Sequence, residues 1–284
     1  MINECTSAYK KIGDKRLIVK NRDKHYAPNI TVHHELRDGT EILYYIDEES
    51  RGVDGVNEHV IGVAFNSINF KSDHVEKQSK NADSVLRALS KKSIKDVIRE
   101  LITGSNSFKG LMLVSAPNLS VLIENNPDLN EKPAIKKLDG KDWSVFTNMP
   151  EMLDWKKATD PKLDAEGYLS CVVRRAVAEI GLHNASDIDT ALESLAYRYF
   201  SDESHLNPNR DSEYSITHMQ VGLDLDEKQM LLSKVPGKLK SFKVSKKLPS
   251  GYNPKCELVL RNFREPALAP FRLFSTNIEE AVEK

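Results

Sequence analysis

The chain has 284 residues, 39% hydrophobic and 29% charged, with 41 Lys and Arg against 42 Asp and Glu. This is the composition of an ordinary soluble globular protein; the balanced charge excludes a general pull towards nucleic acid or an anionic membrane, and no run approaches the roughly eighteen apolar residues of a membrane helix. The first residues lack the apolar core of a secretory signal, so a cytoplasmic protein is expected, and three scattered cysteines, Cys5, Cys171 and Cys256, make neither a disulfide framework nor a zinc site.

In chain order, TSAYKKI and RLIVK are short apolar or β-branched stretches separated by GDK, which predicts a hairpin. NITVHHEL and TEILYYI follow, joined by the turn RDG, and GVAFNSINF reads as a partly buried strand. A polar stretch then leads into a helix pair with apolar residues at Val85, Leu86, Leu89, Ile94, Val97, Ile98 and Leu101, broken near Ser90–Ser93. GLMLVSA and LSVLIE form a second hairpin around PN, and WSVFTNM is another short strand. EGYLSCVVRRAVAEIG and SDIDTALESLAYRYF read as amphipathic helices, the second capped by Ser186. YSITHMQVGLDL and QMLLSKV are strands around DEK, with SFKVSKKL and CELVLRNF as two further candidates. Residues 71–83, 125–142 and 201–213 read as loops. Hairpin connections predict largely antiparallel sheets, two of them, with helices covering both outer faces. No Pro/Gly/Ser linker divides the chain, so one domain is expected.

Cys5 and Asp23 stand eighteen positions apart, at the open end of the first hairpin. A hairpin returns the end of its second strand beside the start of its first. A carboxylate there can hold an amine at Cys5 next to the thiol, and Arg22 adds positive charge that favours thiolate. The alternative is a polar strand end with an Asx turn.

CTSAYKK followed by KNRD, GVNEHVIGVAFNSINF, FTNMPEMLDW, LSCVVRRAVAE and THMQVGLDLDEKQMLLSKVPG occur in that order over most of residues 5–240. Together they resemble the N-terminal nucleophile (Ntn) hydrolases, in particular the choloylglycine hydrolase branch and the related acyl-coenzyme A:isopenicillin N acyltransferase family. The resemblance implies a four-layer αββα fold. It implies Cys5 as nucleophile with its freed amine as base, Asp23 orienting that amine, and Asn148 donating to the oxyanion. Asn66, or its neighbour Ser67, lies where the family draws further oxyanion donors. Arg174 or Arg175 supplies the active-site arginine, displaced along the helix because Cys171 stands where the bile-salt branch has arginine. The pattern also prefers glycine at residue 60, where this chain has Val60.

Other residues have plainer readings. Asn57 and Glu58 cap a turn; His33, His34 and His59 read as isolated surface histidines, and adjacent strand residues such as His33 and His34 point apart. Trp143 and Trp155 are packing residues, and Cys171 is core. The stretch from Lys228 to Lys255 has eight lysines and no acid, a solvated face or a contact for an anionic partner.

An amide nitrogen is not basic, so Cys5 can serve with its own amine only once residues 1–4, MINE, are removed. Self-cleavage by the Cys5 thiol is the economical route, a host protease the alternative. The expected maturation leaves residues 5–284 as a single Ntn domain. The expected reaction is hydrolysis of a linear non-peptide or small-peptide amide through a thioester, without metal or cofactor. An amine replacing water would make the same protein an acyltransferase; retention of MINE would make it a non-catalytic binding protein on this fold. The expected partner is a small-molecule amide, with no nucleic acid or membrane, and homo-oligomerisation is left open.

Overall fold

The computed structural model describes residues 4–24, 30–48, 50–68, 75–103, 108–129, 131–138, 140–153, 165–196, 216–234, 238–243, 257–262 and 272–277. Trp155, Cys256, the expected loop at 201–213 and part of the lysine-rich stretch lie outside these residues.

Two antiparallel sheets face each other. The first runs in the order β10-β1-β2-β11-β12-β13-β14-β15, the second β3-β4-β5-β6-β7-β8-β9. The first hairpin is β1 (Glu4–Ile12) and β2 (Lys15–Lys24), extended on one side by β10 (Trp143–Phe146). On the other side follow β11 (Ile216–Asp224), β12 (Gln229–Lys234), β13 (Lys238–Lys243), β14 (Glu257–Asn262) and β15 (Arg272–Asn277). The second sheet comprises β3 (Ile30–Arg37), β4 (Thr40–Asp47), β5 (Val53–Asn57), β6 (Gly62–Asn66), β7 (Gly110–Ala116), β8 (Leu119–Asn125) and β9 (Ala134–Lys137).

The helices form the outer layers. Helices α1 (Val75–Leu89) and α2 (Ile94–Ile102) cover the second sheet, and α3 (Ala165–His183) and α4 (Ile188–Ala196) cover the first. The alternation of the strands explains the layering. On β4, Leu43 and Tyr45 enter the core between the sheets, while Ile42, Tyr44 and Ile46 pack under α1 and α2. On β2, Ile18 faces between the sheets, while Leu17 and Val19 face α3 and α4. Both faces of the central strands are covered, so they read as unbroken apolar runs.

Several boundaries differ from the sequence reading. Residues 71–83 were expected as loop, yet α1 begins at Val75; Glu, Lys and Gln sustain a helix without an apolar stripe. The loop at 125–142 contains β9, which pairs with β8. The single strand expected across GVAFNSINF stops at Asn66, and β5 precedes it as a separate short strand. Asp187, not Ser186, caps α4: its Oδ1 accepts the Thr190 N–H at 2.8 Å, and Thr190 Oγ1 accepts back from the Asp187 N–H at 3.1 Å. The break between α1 and α2 lies where expected, with Ser93 as cap of α2.

The β5–β6 turn is built by Asn57. Its Oδ1 accepts from the His59 and Ile61 N–H groups, and its Nδ2 donates to the Leu89 and Lys91 carbonyls at 2.9 Å. Glu58 Oε1 accepts the Glu41 N–H at 3.0 Å, so both residues serve this turn. Val60 sits in it with φ of 64°. That left-handed conformation suits glycine and strains a β-branched residue, which is the physical content of the glycine preference noted at this position.

Candidate active site

Cys5 lies near the start of β1, opposite Arg22 on β2. Residues facing across an antiparallel pair share a face, and the face repeats every second residue. Cys5, Ser7, Lys20 and Arg22 therefore project between the sheets. Thr6, Asn21 and Asp23 project towards α3 and α4, and the Asn21 amide donating to Leu195 O at 2.7 Å confirms it.

Between the sheets the polar side chains interlock. Lys20 Nζ donates to both Asp54 oxygens, at 2.9 and 2.8 Å, and to the Phe65 carbonyl. The Tyr45 hydroxyl donates to Asp54, and Arg22 donates to Tyr45 Oη at 3.1 Å, Asp47 Oδ2 at 3.3 Å and Ser50 Oγ at 3.1 Å. Burial lowers the affinity of the Arg22 guanidinium for its proton, but Tyr45, Cys5, Asp54 and Asp47, each negative when ionised, raise it on balance. Burial pushes the Tyr45 phenol well up; Arg22 opposes the shift and Asp54 adds to it. The positive charge expected beside Cys5 is thus present, held in a buried network that spans both sheets.

Asn148 follows β10. The register that pairs Ser7 with Phe146 leads Asn148 to the level of Cys5. Its Oδ1 accepts the Cys5 N–H at 2.5 Å and its Nδ2 donates to Ser67 O at 2.7 Å. A donor at one end and a carbonyl at the other fix the orientation of the amide. Asn66 Nδ2 donates to Ser7 Oγ at 2.8 Å and lies 3.5 Å from Phe146 O, while its Oδ1 is buried without a hydrogen-bond partner among the described residues. Ser67 meets the cluster through its carbonyl, which accepts from Asn148.

On the helix face, Arg174 is wholly buried. Its Nη1 donates to the Cys5 carbonyl at 3.0 Å and to Thr6 Oγ1 at 2.8 Å, and stands 3.8 Å from Asp23 Oδ2. Its Nε reaches Ser170 Oγ at 3.3 Å and its Nη2 the Cys171 sulfur at 3.4 Å, so Cys171 is a core residue that helps seat the arginine. Thr217 Oγ1 donates to Asp23 Oδ1 at 2.7 Å. The carboxylate of Asp23 and the thiol of Cys5 thus lie on opposite faces of the sheet, with the backbone of Cys5 and the guanidinium of Arg174 between them. The Cys5 nitrogen, an amide here because Glu4 precedes it in β1, gives its one hydrogen to Asn148 rather than to Asp23. Arg175 does not join the cluster: it pairs with Glu151 at 2.7 Å and Glu179 at 3.0 Å. One residue along a helix is a turn of about 100°, which takes Arg175 off the face that meets Cys5.

Two solved structures superpose on nearly the whole chain. One is a mutant of conjugated bile acid hydrolase from Clostridium perfringens, with 13% identity over 93% of this chain and 97% of the other, at a TM-score of 0.53. The other is penicillin V acylase from Agrobacterium tumefaciens, with 11% identity over 96% and 97%, at a TM-score of 0.55. The chain has the Ntn-hydrolase fold. No protein-family model matches it, and no curated protein matches it in sequence. At such identities the likeness is one of fold. Sequence reading missed Lys20, Asp54, Tyr45 and Asp47 around Cys5, because in sequence they are ordinary members of apolar strands and only the facing of the two sheets brings them together.

Proposed function

We propose that this chain is a cysteine Ntn amidohydrolase, matured by cleavage before Cys5 and acting on a linear non-peptide or small-peptide amide. What supports this reading most is the convergence on Cys5 of residues remote in sequence: Asn148 on its nitrogen, Arg174 on its carbonyl, and Arg22 beside its side chain. The names of the two solved structures, a hydrolase of conjugated bile acids and a penicillin V acylase, support a small acylated substrate.

In maturation the Cys5 sulfur adds to the Glu4 carbonyl carbon. The C–N bond breaks as the C–S bond forms, the thiol proton passes to the departing Cys5 nitrogen, and water hydrolyses the thioester to release residues 1–4. The freed amine then has a basic lone pair. In catalysis it takes the thiol proton as sulfur attacks the substrate carbonyl, and it returns that proton to the leaving amine. Water cleaves the acyl thioester; an amine in its place gives acyl transfer. For the oxyanion the donor Asn148 offers is its Nδ2, which turns from the Ser67 carbonyl it now meets, with the Asn66 amide beside it. Asp23 and Arg174 hold the amine and the carbonyl of Cys5 from beneath.

Intact mass of purified wild type and Cys5→Ala, with a screen of amides, tests the reading. Wild type should lose residues 1–4 and turn over an amide, while Cys5→Ala keeps them. A wild type that keeps all four residues and turns over no amide would leave a non-catalytic binding protein.

A further inference from the structure

The segment that carries Asn148 is held from the opposite sheet. Glu124 lies on β8, two residues from Leu122 and so on the face that lines the core between the sheets. It is fully buried. Its Oε2 accepts three consecutive backbone N–H groups, from Glu151 at 2.9 Å, Met152 at 2.6 Å and Leu153 at 3.3 Å. Its Oε1 is also buried and has no hydrogen-bond partner among the described residues. Successive N–H groups turned to one point make a concavity that favours an anion, and a carboxylate fills it with charge-assisted bonds.

We propose that Glu124 is a positioning residue for Asn148, setting where that side chain meets Cys5 by gathering the three N–H groups that follow it. Only Met149 and Pro150 separate Asn148 from Glu151, and the proline ring fixes one of the intervening dihedrals. The other end of the segment is fixed by the pairing of Phe146 with Ser7. Asn148 therefore hangs between an anchor in each sheet, and its hydrogen bonds to the Cys5 nitrogen and the Ser67 carbonyl depend on both. The consequence for catalysis rests on the reading of Cys5 as nucleophile; the consequence for geometry does not.

The charge of Glu124 is part of the device. Burial pushes its carboxyl up, the three N–H groups pull it down, and the carboxylate of Glu151 adds to the rise. Glu151 is itself paired with Arg175 of α3 and lies 3.8 Å from Lys136 of β9, with Glu179 and Lys141 also acting on it. Protonation of Glu124 weakens its hold on the three N–H groups, so the anchor loosens on the acid side, above the ordinary glutamate value of about 4.3.

Glu124→Gln keeps the shape and an acceptor oxygen but removes the charge; Glu124→Leu removes the acceptor. Two measurements are made on each. The first is the rate of loss of residues 1–4 per folded molecule against pH. The second, in a Cys5→Ala background where the chain stays whole, is hydrogen exchange at the position 5 amide. Glu124→Gln should slow cleavage about tenfold and abolish its acid limb, and Glu124→Leu should slow it about a hundredfold, the scale of an ångström-sized misplacement. Exchange at position 5 should quicken at least about tenfold in both, with the other β1 amides unchanged. Wild-type cleavage and wild-type exchange in both variants would overturn the proposal. If the parent chain is never cleaved, the functional reading fails by itself and exchange alone decides on Glu124. If Glu124→Leu does not fold, Glu124→Gln decides.

Discussion

Gly52→Ala tests whether the buried network beside Cys5 is as tight as its geometry says. A Cβ at residue 52 would stand 2.3 Å from Arg22 Nη2, 2.6 Å from Nη1 and 2.8 Å from Cζ. The guanidinium must retreat by about 1 Å to reach ordinary contact, which is enough to break bonds of 3.1 to 3.3 Å to Tyr45, Asp47 and Ser50. Hydrogen bonds of charged groups contribute about 1.5–3 kcal/mol each, and disrupting a buried ion pair costs about 3–5 kcal/mol. Partial re-formation leaves an expected loss of about 2–4 kcal/mol, or a Tm lower by roughly 3–7 °C. Arg22→Ala supplies the second arm of the cycle. With the guanidinium gone, the three atoms nearest to the new methyl are gone too, and Gly52→Ala should cost far less than in the parent, the unfolded-chain gain of up to about 1 kcal/mol acting in its favour. Urea midpoints of the four proteins give the coupling. Equal destabilisation by Gly52→Ala in both backgrounds would show that Arg22 is not what the methyl strikes.

Two further outcomes are expected. Asp23→Asn keeps the Thr217 bond but removes the countercharge of Arg174 and of a freed Cys5 amine; turnover should fall by about two to four orders of magnitude with the fold intact, and near-normal turnover would remove Asp23 from the mechanism. His34, expected at the surface, is buried where β3 and β4 pair, and burial holds its imidazole below its ordinary value despite Glu41 at 3.5 Å. Its contribution to stability is therefore complete above the unfolded value of about 6.5 and is lost as pH falls through the folded one. His34→Gln should flatten the fall in urea midpoint between pH 7 and 5, and an unchanged slope would sink the assignment.

The sequence by itself determined what is local. GDK, RDG and PN mark turns, and alternation or a 3.6-residue period marks what lies between them, because these signals depend on dihedrals and neighbours a few residues apart. The hairpin geometry alone set Cys5 and Asp23 near one another. Where the local signal is weak the reading slipped: the polar start of α1 carries no apolar stripe, and β9 is only four residues, Ala134–Lys137, stabilised by its pairing with β8. Tertiary structure alone decided what depends on rotation and on facing layers. Arg174 and Arg175 are indistinguishable in sequence, and the packing of α3 on the first sheet turns one towards the Cys5 carbonyl and leaves the other with Glu151. Glu124, Lys20 and Asp54 read as stray charges in apolar strands. They are buried and paired because two sheets close over them, and such a pairing is a contact between segments far apart in sequence, set by a strand's face and register and by no pattern within the strand.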